Sequence, residues 1–196
     1  MDNHAPLAVI LAGGAGRRMG GDKPFARLAG RPLVAHVIDR LSPQCRALAI
    51  NAAPDPRWDE RGLPLIPDGA AGGLGPLSGI LAAMDWAEAQ GATRVLTAPV
   101  DTPFLPGDLV HRLSAVDAPI ALARTVDGLQ GTCGLWAVSL RGTLAAALAT
   151  GTRKLTEFAM AHGAESVFFP SGDPPPFFNI NRPDDLAWAE GVLGQA

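Results

Sequence analysis

Three observations predict a doubly wound α/β fold built on a mostly parallel sheet. Short apolar runs alternate with stretches whose apolar residues recur at helical spacing, from one end of the 196-residue chain to the other. A glycine-rich segment follows directly on the first apolar run, and Asn51, Asp68 and Asp101 stand at or just past the ends of the next three. Ligands of open sheets sit beyond the carboxyl ends of the strands, so these segments are expected to converge on one edge.

The first strand is predicted at residues 7–11, an unbroken apolar run suited to burial on both faces. Further strands are expected at 46–51, 63–66, 94–98, 119–124, 134–138 and 166–169, where short apolar runs lie between turn residues. Helical stripes run through Val34, Val37, Ile38 and Leu41, then through Leu77, Ile80, Leu81 and Met84. Later stripes pass through Leu140, Leu144 and Leu148, and through Leu186, Ala189 and Leu193; all four read as core faces. Two stretches read as loops: 68–75, with four glycines before a helix start at Pro76, and 171–176, stiffened by its prolines. The first is expected to order over a bound ligand.

At 20.2 kDa the chain suits one domain spanning 1–196. A composition of 47% apolar and 18% charged residues is that of a soluble globular protein, and a net charge of −3 argues against a general nucleic-acid binder. Cys45 and Cys133 are too few for a disulfide framework or a zinc site, which favours reduced thiols in a cytoplasm. The apolar stretch 5–12 precedes the Arg17-Arg18 pair rather than following it, the reverse of a twin-arginine signal. No run approaches the ~18 apolar residues of a membrane span, so a cytoplasmic protein without a membrane partner is expected. His4, His36, His111 and His162 do not cluster.

From Leu11 the chain continues through Ala12, Gly13, Gly14, Gly16, Arg17, Arg18 and Asp22 to Lys23. Backbone without Cβ atoms lets several N–H groups converge on an anion, and the cations add mobile charge around it. The loop looks built for a polyphosphate. It is not a P-loop, because Pro24 stands where the Mg²⁺-binding hydroxyl belongs, nor a dinucleotide fingerprint, because the count from Gly14 and Gly16 lands on Met19. Asp22 is expected to be structural, fixing Lys23 or an arginine. Asp101, after an apolar strand and held by Thr102-Pro103, suits a Mg²⁺ ligand, since that ion takes one or two carboxylates and fills its other positions with water and phosphate. The alternative, a cap for a helix starting near Pro106, is served better by Asp108.

The glycine loop also resembles the N-terminal motif of the molybdenum cofactor guanylyltransferases, a nucleotidyltransferase family with a Rossmann-like single domain. The likeness continues in order through Gly75-Pro76-Leu77-Ser78-Gly79, Pro99-Val100-Asp101-Thr102-Pro103, Gly151-Thr152-Arg153-Lys154 and Phe178-Asn179-Ile180-Asn181-Arg182-Pro183. The first motif alone is shared with cytidylyltransferases and sugar-phosphate nucleotidyltransferases; the ordered set is more specific. The resemblance implies transfer of GMP from GTP to the terminal phosphate of molybdenum-molybdopterin, with Mg²⁺ and release of pyrophosphate. It implies nucleotide contacts at Leu11, Ala12, Gly13, Lys23, Asn51, Asp68 and Asp101, joined by the Gly14 and Gly16 backbone. Lys23, Asp101 and Arg17 are the expected catalytic residues, with Arg18 in support and Asp101 holding the metal. Asn51, with a donor and an acceptor, and Asp68 are expected at the base.

For the second substrate the candidates are Ser78, Gly79, Arg153, Lys154, Asn179 and Asn181. Read without the resemblance, Arg153 and Lys154 form a solvated pair and Asn181 caps the following helix. Where many relatives carry a His-Pro pair, this chain reads Gln130-Gly131-Thr132-Cys133, which leaves either Gln130 or Thr132 to replace that hydrogen bond or a site of different second-substrate preference. The same resemblance implies transient protein partners that deliver the cofactor or receive it as molybdoenzymes. The rival readings are a cytidylyl or sugar-phosphate transferase and, from another class, a nucleotide-binding regulator that catalyses nothing.

Overall fold

The computed structural model describes residues 5–13, 22–69 and 73–194. The strands are β1 (Leu7–Leu11), β2 (Arg27–Leu28), β3 (Arg31–Pro32), β4 (Ala47–Asn51), β5 (Leu65–Ile66), β6 (Arg94–Pro99), β7 (Ile120–Thr125), β8 (Gly128–Ala137) and β9 (Ala164–Phe168). The helices are α1 (Leu33–Leu41), α2 (Pro76–Ala89), α3 (Leu109–Ser114), α4 (Arg141–Ala149), α5 (Leu155–Ala161) and α6 (Pro183–Leu193). Seven strands form one sheet in the order β5-β4-β1-β6-β8-β7-β9, while β2 and β3 make a small separate hairpin. Only β8 runs antiparallel to its neighbours, so the sheet is mostly parallel as the alternation of patterns predicts.

Side-chain alternation along β1 divides the core. Ala8 and Ile10 pack on one face with Val34, Val37 and Leu41 of α1 and Leu109, Val110 and Leu113 of α3. Leu7, Val9 and Leu11 pack on the other with Leu77, Ile80 and Met84 of α2, Leu144 and Leu148 of α4, and Phe158 of α5. A third cluster, of Leu28, Leu33, Phe104, Ile180 and Ala189, seats α6 against the segment after β6.

The structure departs from the sequence reading at its second half. The strand predicted at 134–138 begins six residues earlier, because β7 and β8 are two arms of a hairpin, and the first five residues of β8 carry polar Gln130 and Thr132 rather than an apolar run. Within it Leu122 pairs with Gly134 but Ala123 pairs with Gln130, so residues 131–133 bulge from β8. The strand expected at 166–169 lies at Ala164–Phe168, and α5, only seven residues long, gives too short a stripe to read.

Behind the bulge, buried Thr97 accepts a hydrogen bond from Trp136 Nε1 at 2.9 Å and donates to the Thr132 carbonyl at 3.0 Å. Thr97→Val keeps the shape but strands the indole N–H in the core, and is expected to cost about 1–3 kcal/mol in a chemical denaturation curve. Among the described residues no helix is long and apolar enough to cross a membrane.

Candidate functional site

Parallel register levels four strand ends at one edge of the sheet. Leu11 pairs with both Asn51 and Pro99, and Asn51 pairs with Ile66. The ladder runs on past the strands, with Ala12 N–H donating to Asn51 O at 2.9 Å and Val100 N–H to Leu11 O at 3.1 Å. Residues from the four connections therefore meet, as the sequence predicts. Gly14, Gly16, Arg17 and Arg18 lie outside the described residues.

One group of side chains gathers around Asn51. Its Nδ2 donates to Ile66 O at 2.9 Å and to Asp68 Oδ1 at 2.7 Å. Both partners are oxygens, which fixes the orientation of the amide and uses both of its N–H bonds. Asn51 thus offers a ligand its carbonyl oxygen alone, a correction to the expectation of a donor and an acceptor together. The Ser78 hydroxyl lies 3.2 Å from Asp68 Oδ2 and 2.6 Å from Gly75 O. Gly79 packs so closely on the amide that a Cβ there would lie 2.5 Å from Asn51 Oδ1, and a Cβ on Gly13 would lie 3.5 Å from the same atom. Ser78 and Gly79, expected at the second substrate, serve here to hold the Asn51–Asp68 pair.

A second group centres on Lys23, which follows Asp22 at the start of a 3₁₀ turn, Lys23–Phe25. Its ammonium lies 2.5 Å from Asp101 Oδ2 and donates to Asn181 Oδ1 at 2.7 Å, joining positions 78 and 158 residues apart in sequence. Asp101 is held by the Thr102 hydroxyl on Pro99 O at 3.0 Å and by Ile180 N–H on its own carbonyl at 2.9 Å. Its Oδ1 is buried without a hydrogen-bond partner among the described residues. A carboxylate oxygen so placed fits a divalent cation, which would repay its lost hydration. Among the described residues no three His, Cys, Asp or Glu side chains are grouped to hold a metal, so Asp101 would share that ion with water and phosphate oxygens.

The remaining expected residues are distributed otherwise. Arg153 Nη1 donates to Leu148 O at 2.8 Å and Thr152 O at 2.7 Å, closing the end of α4. Lys154 is exposed and bonds Glu157 at 2.7 Å, a contact that raises its pKa. These two form local contacts rather than joining Lys23, as the reading without the resemblance has it. Asn179 donates to Phe177 O at 3.2 Å. Asn181 is not a side-chain cap for α6; that role falls to Asp185, which accepts from the N–H groups of Asn181 and Arg182 at 2.8 and 2.9 Å. Burial pushes the Cys45 thiol up to about 12 and the Cys133 thiol up as well, so neither is a nucleophile near neutral pH.

Arg57 was not singled out by the sequence, although Asp55-Pro56 before it is a helix-start signal. It bonds Asp55 with Nε and Nη2 at 3.0 and 2.7 Å, and Asp22 with Nη2 at 2.8 Å. Asp22 is thus structural, as expected, but its arginine comes from the segment after β4. The Arg57 side-chain and backbone donors hold the Asp55 carboxyl at about 2, below its ordinary value. A depressed pKa adds stability above the unfolded value of about 3.9 and loses it as pH falls through the folded one. A carboxyl ¹³C titration is therefore expected to move Asp55 near pH 2 in the wild type and part of the way back toward the ordinary value in Arg57→Ala, which keeps the backbone donor.

A family model for the MobA-like NTP transferase domain matches residues 8–166. The chain belongs to this family. The chain is 50% identical over 190 residues to a molybdenum cofactor guanylyltransferase of Cereibacter sphaeroides, covering 95% of this chain and 96% of that one. The molybdopterin-guanine dinucleotide biosynthesis protein A of Archaeoglobus fulgidus is similar in structure, with a TM-score of 0.76, 25% identity and coverage of 97% and 100%. A CMP:2-keto-3-deoxy-manno-octonic acid synthetase complexed with CTP superposes with a TM-score of 0.73 over 97% and 98% of the chains, and at 12% identity shares the fold alone. The chain is thus a nucleotidyltransferase.

Proposed function

We infer that this chain transfers GMP from GTP to the terminal phosphate of molybdenum-molybdopterin, forming the guanine dinucleotide cofactor and releasing pyrophosphate. The observation that carries the reading is 50% identity over nearly the whole chain to a molybdenum cofactor guanylyltransferase. An oxygen of the acceptor phosphate attacks the α-phosphorus of GTP; the bond from that phosphorus to the bridging oxygen breaks, and its electrons leave with pyrophosphate. A phosphate monoester with a second pKa near ~6 is ionised at neutral pH, so no general base is required. The task left to the protein is to bring two anions together, by positioning and positive charge.

Lys23 supplies that charge at the triphosphate, with Arg17 adding to it. Asp101 would hold a divalent cation, which supplies Lewis acidity and charge neutralisation at the phosphates. At the base, Asp68 and the Asn51 carbonyl present acceptors only. Guanine offers adjacent donors, its ring N–H and exocyclic amine, whereas cytosine sets an acceptor beside its amine. Acceptor oxygens side by side therefore favour guanine over the cytidylyl alternative. Asn181 and Asn179 remain the candidates nearest the acceptor, with Ser78 and Gly79 reassigned to the base side.

The test supplies the protein with Mg²⁺ and molybdenum-loaded molybdopterin together with GTP or CTP, following pyrophosphate and identifying the dinucleotide by mass. Guanine dinucleotide formed in preference to the cytosine product is expected. Faster release with CTP rejects the reading, and no release with either favours a regulator.

A further inference from the structure

Arg57 stands outside every motif of the family resemblance, yet it joins the segment after β4 to both sides of Lys23. Its guanidinium grips Asp55 through two nitrogens and reaches Asp22 at 2.8 Å, the residue just before Lys23. The same guanidinium lies 4.0 Å from the ring centroid of Phe25, two residues after Lys23. Phe25 in turn packs on Trp58 with centroids 4.4 Å apart, and Trp58 is buried in the core. Asp55 is itself fixed, accepting from Arg57 N–H at 2.9 Å where it caps the 3₁₀ turn Pro56–Arg61. The carbonyl of Asp22 receives the N–H groups of Phe25 and Ala26 at 2.9 and 3.0 Å, so the turn carrying Lys23 is closed on the residue that Arg57 holds.

We propose that Arg57 is a positioning residue for Lys23, clamping both sides of the 3₁₀ turn through Asp22 and Phe25 so that the ammonium stays level with Asp101. The clamp rests on the reading above that Lys23 meets the triphosphate. Stability alone gives little reason for the arrangement, because Arg57 is 46% and Asp22 65% exposed, and such pairs contribute little to folding. What a planar fork stacked on a ring supplies is direction: it fixes the backbone that carries Lys23, and a lysine in its place has neither the fork nor the plane. A displacement of about 1 Å at a charge that must meet phosphate oxygens lowers turnover by up to about 10²-fold.

The experiment is a double-mutant cycle on the full chain, with GTP affinity from calorimetry and kcat/KM from pyrophosphate release. Arg57→Ala and Arg57→Lys are each expected to lower kcat/KM for GTP by about tenfold or more, with melting close to wild type. Asp22→Ala, at an exposed position, removes only one link and is expected to act in the same direction, so the proposal stays testable should an Arg57 variant fold poorly. In the Lys23→Ala background, Arg57→Ala is expected to change kcat/KM less than about twofold, because its effect passes through the missing ammonium. Arg57→Ala with wild-type affinity and turnover overturns the proposal. So does a loss of the same size in both backgrounds, which is the behaviour of a general structural role. If Lys23→Ala itself leaves affinity and turnover intact, the reading of Lys23 fails, and the clamp fails with it for that separate reason.

Discussion

Lys23→Ala is expected to lower kcat/KM for GTP by about 10²–10³-fold, the loss seen when one preorganised donor is taken from a developing negative charge. The ammonium sits where two segments remote in sequence deliver oxygens to it, Asp101 at 2.5 Å and Asn181 at 2.7 Å. Such a contact orients the lysine before substrate arrives, so alanine removes both the charge and the reason Asn181 faces the site. The effect on folding is expected to be smaller. Lys23 and Asp101 keep 15% and 17% of their side-chain surfaces exposed, so water can replace the ammonium at Asp101 Oδ2. A charge-assisted hydrogen bond of about 1.5–3 kcal/mol is the amount at stake, equivalent to about 3–12 °C in Tm for a chain of this size. Steady-state kinetics and thermal melting on the same preparation check this. Comparable losses in both would place Lys23 in the scaffold rather than in the chemistry.

How much of this was legible depends on which residues had to act together. β1, β4 and β6 are near-continuous apolar runs because both faces are buried, and that pattern is written locally. Once they are parallel and in register, the converging ends follow, which is why Asn51, Asp68 and Asp101 lie at one edge of the sheet, where Asn51 bonds Asp68 and Lys23 bonds Asp101. The β7–β8 hairpin was half-hidden, since polar Gln130 stands beside a bulge, with Thr132 in it, that breaks strand alternation. Residues whose role lies in a pairwise contact left no pattern at all. Arg57 meets Asp22 across 35 residues, and Ser78 turns to Asp68 rather than outward, neither of which composition or spacing encodes. Arg153 illustrates the converse: a cation in a motif looked like a phosphate ligand, but the carbonyls at the end of α4 claim it.

Gly79→Ala is expected to raise KM for GTP by about ten- to a hundredfold, and the reason lies in a conflict between two local preferences. Gly79 is inside α2, where alanine gains about 1 kcal/mol of helix propensity over glycine. Against that, the new methyl would stand 2.5 Å from Asn51 Oδ1, closer than atoms tolerate, and a tight 3.1 Å from a Leu11 methyl. Asn51 cannot simply retreat, because its amide is tied to Ile66 O and Asp68 Oδ1, and moving it loosens the carboxylate proposed to read guanine. Overpacking of this kind costs about 1–3 kcal/mol, so Tm is expected to fall despite the better helix former. Gly142 supplies the control: it lies inside α4, and a Cβ built there meets nothing within 4 Å. Gly142→Ala is expected to raise Tm and leave GTP affinity unchanged. Calorimetric GTP titrations of the two variants separate the cases, and unchanged affinity in Gly79→Ala would mean that the Asn51–Asp68 pair does not touch the nucleotide.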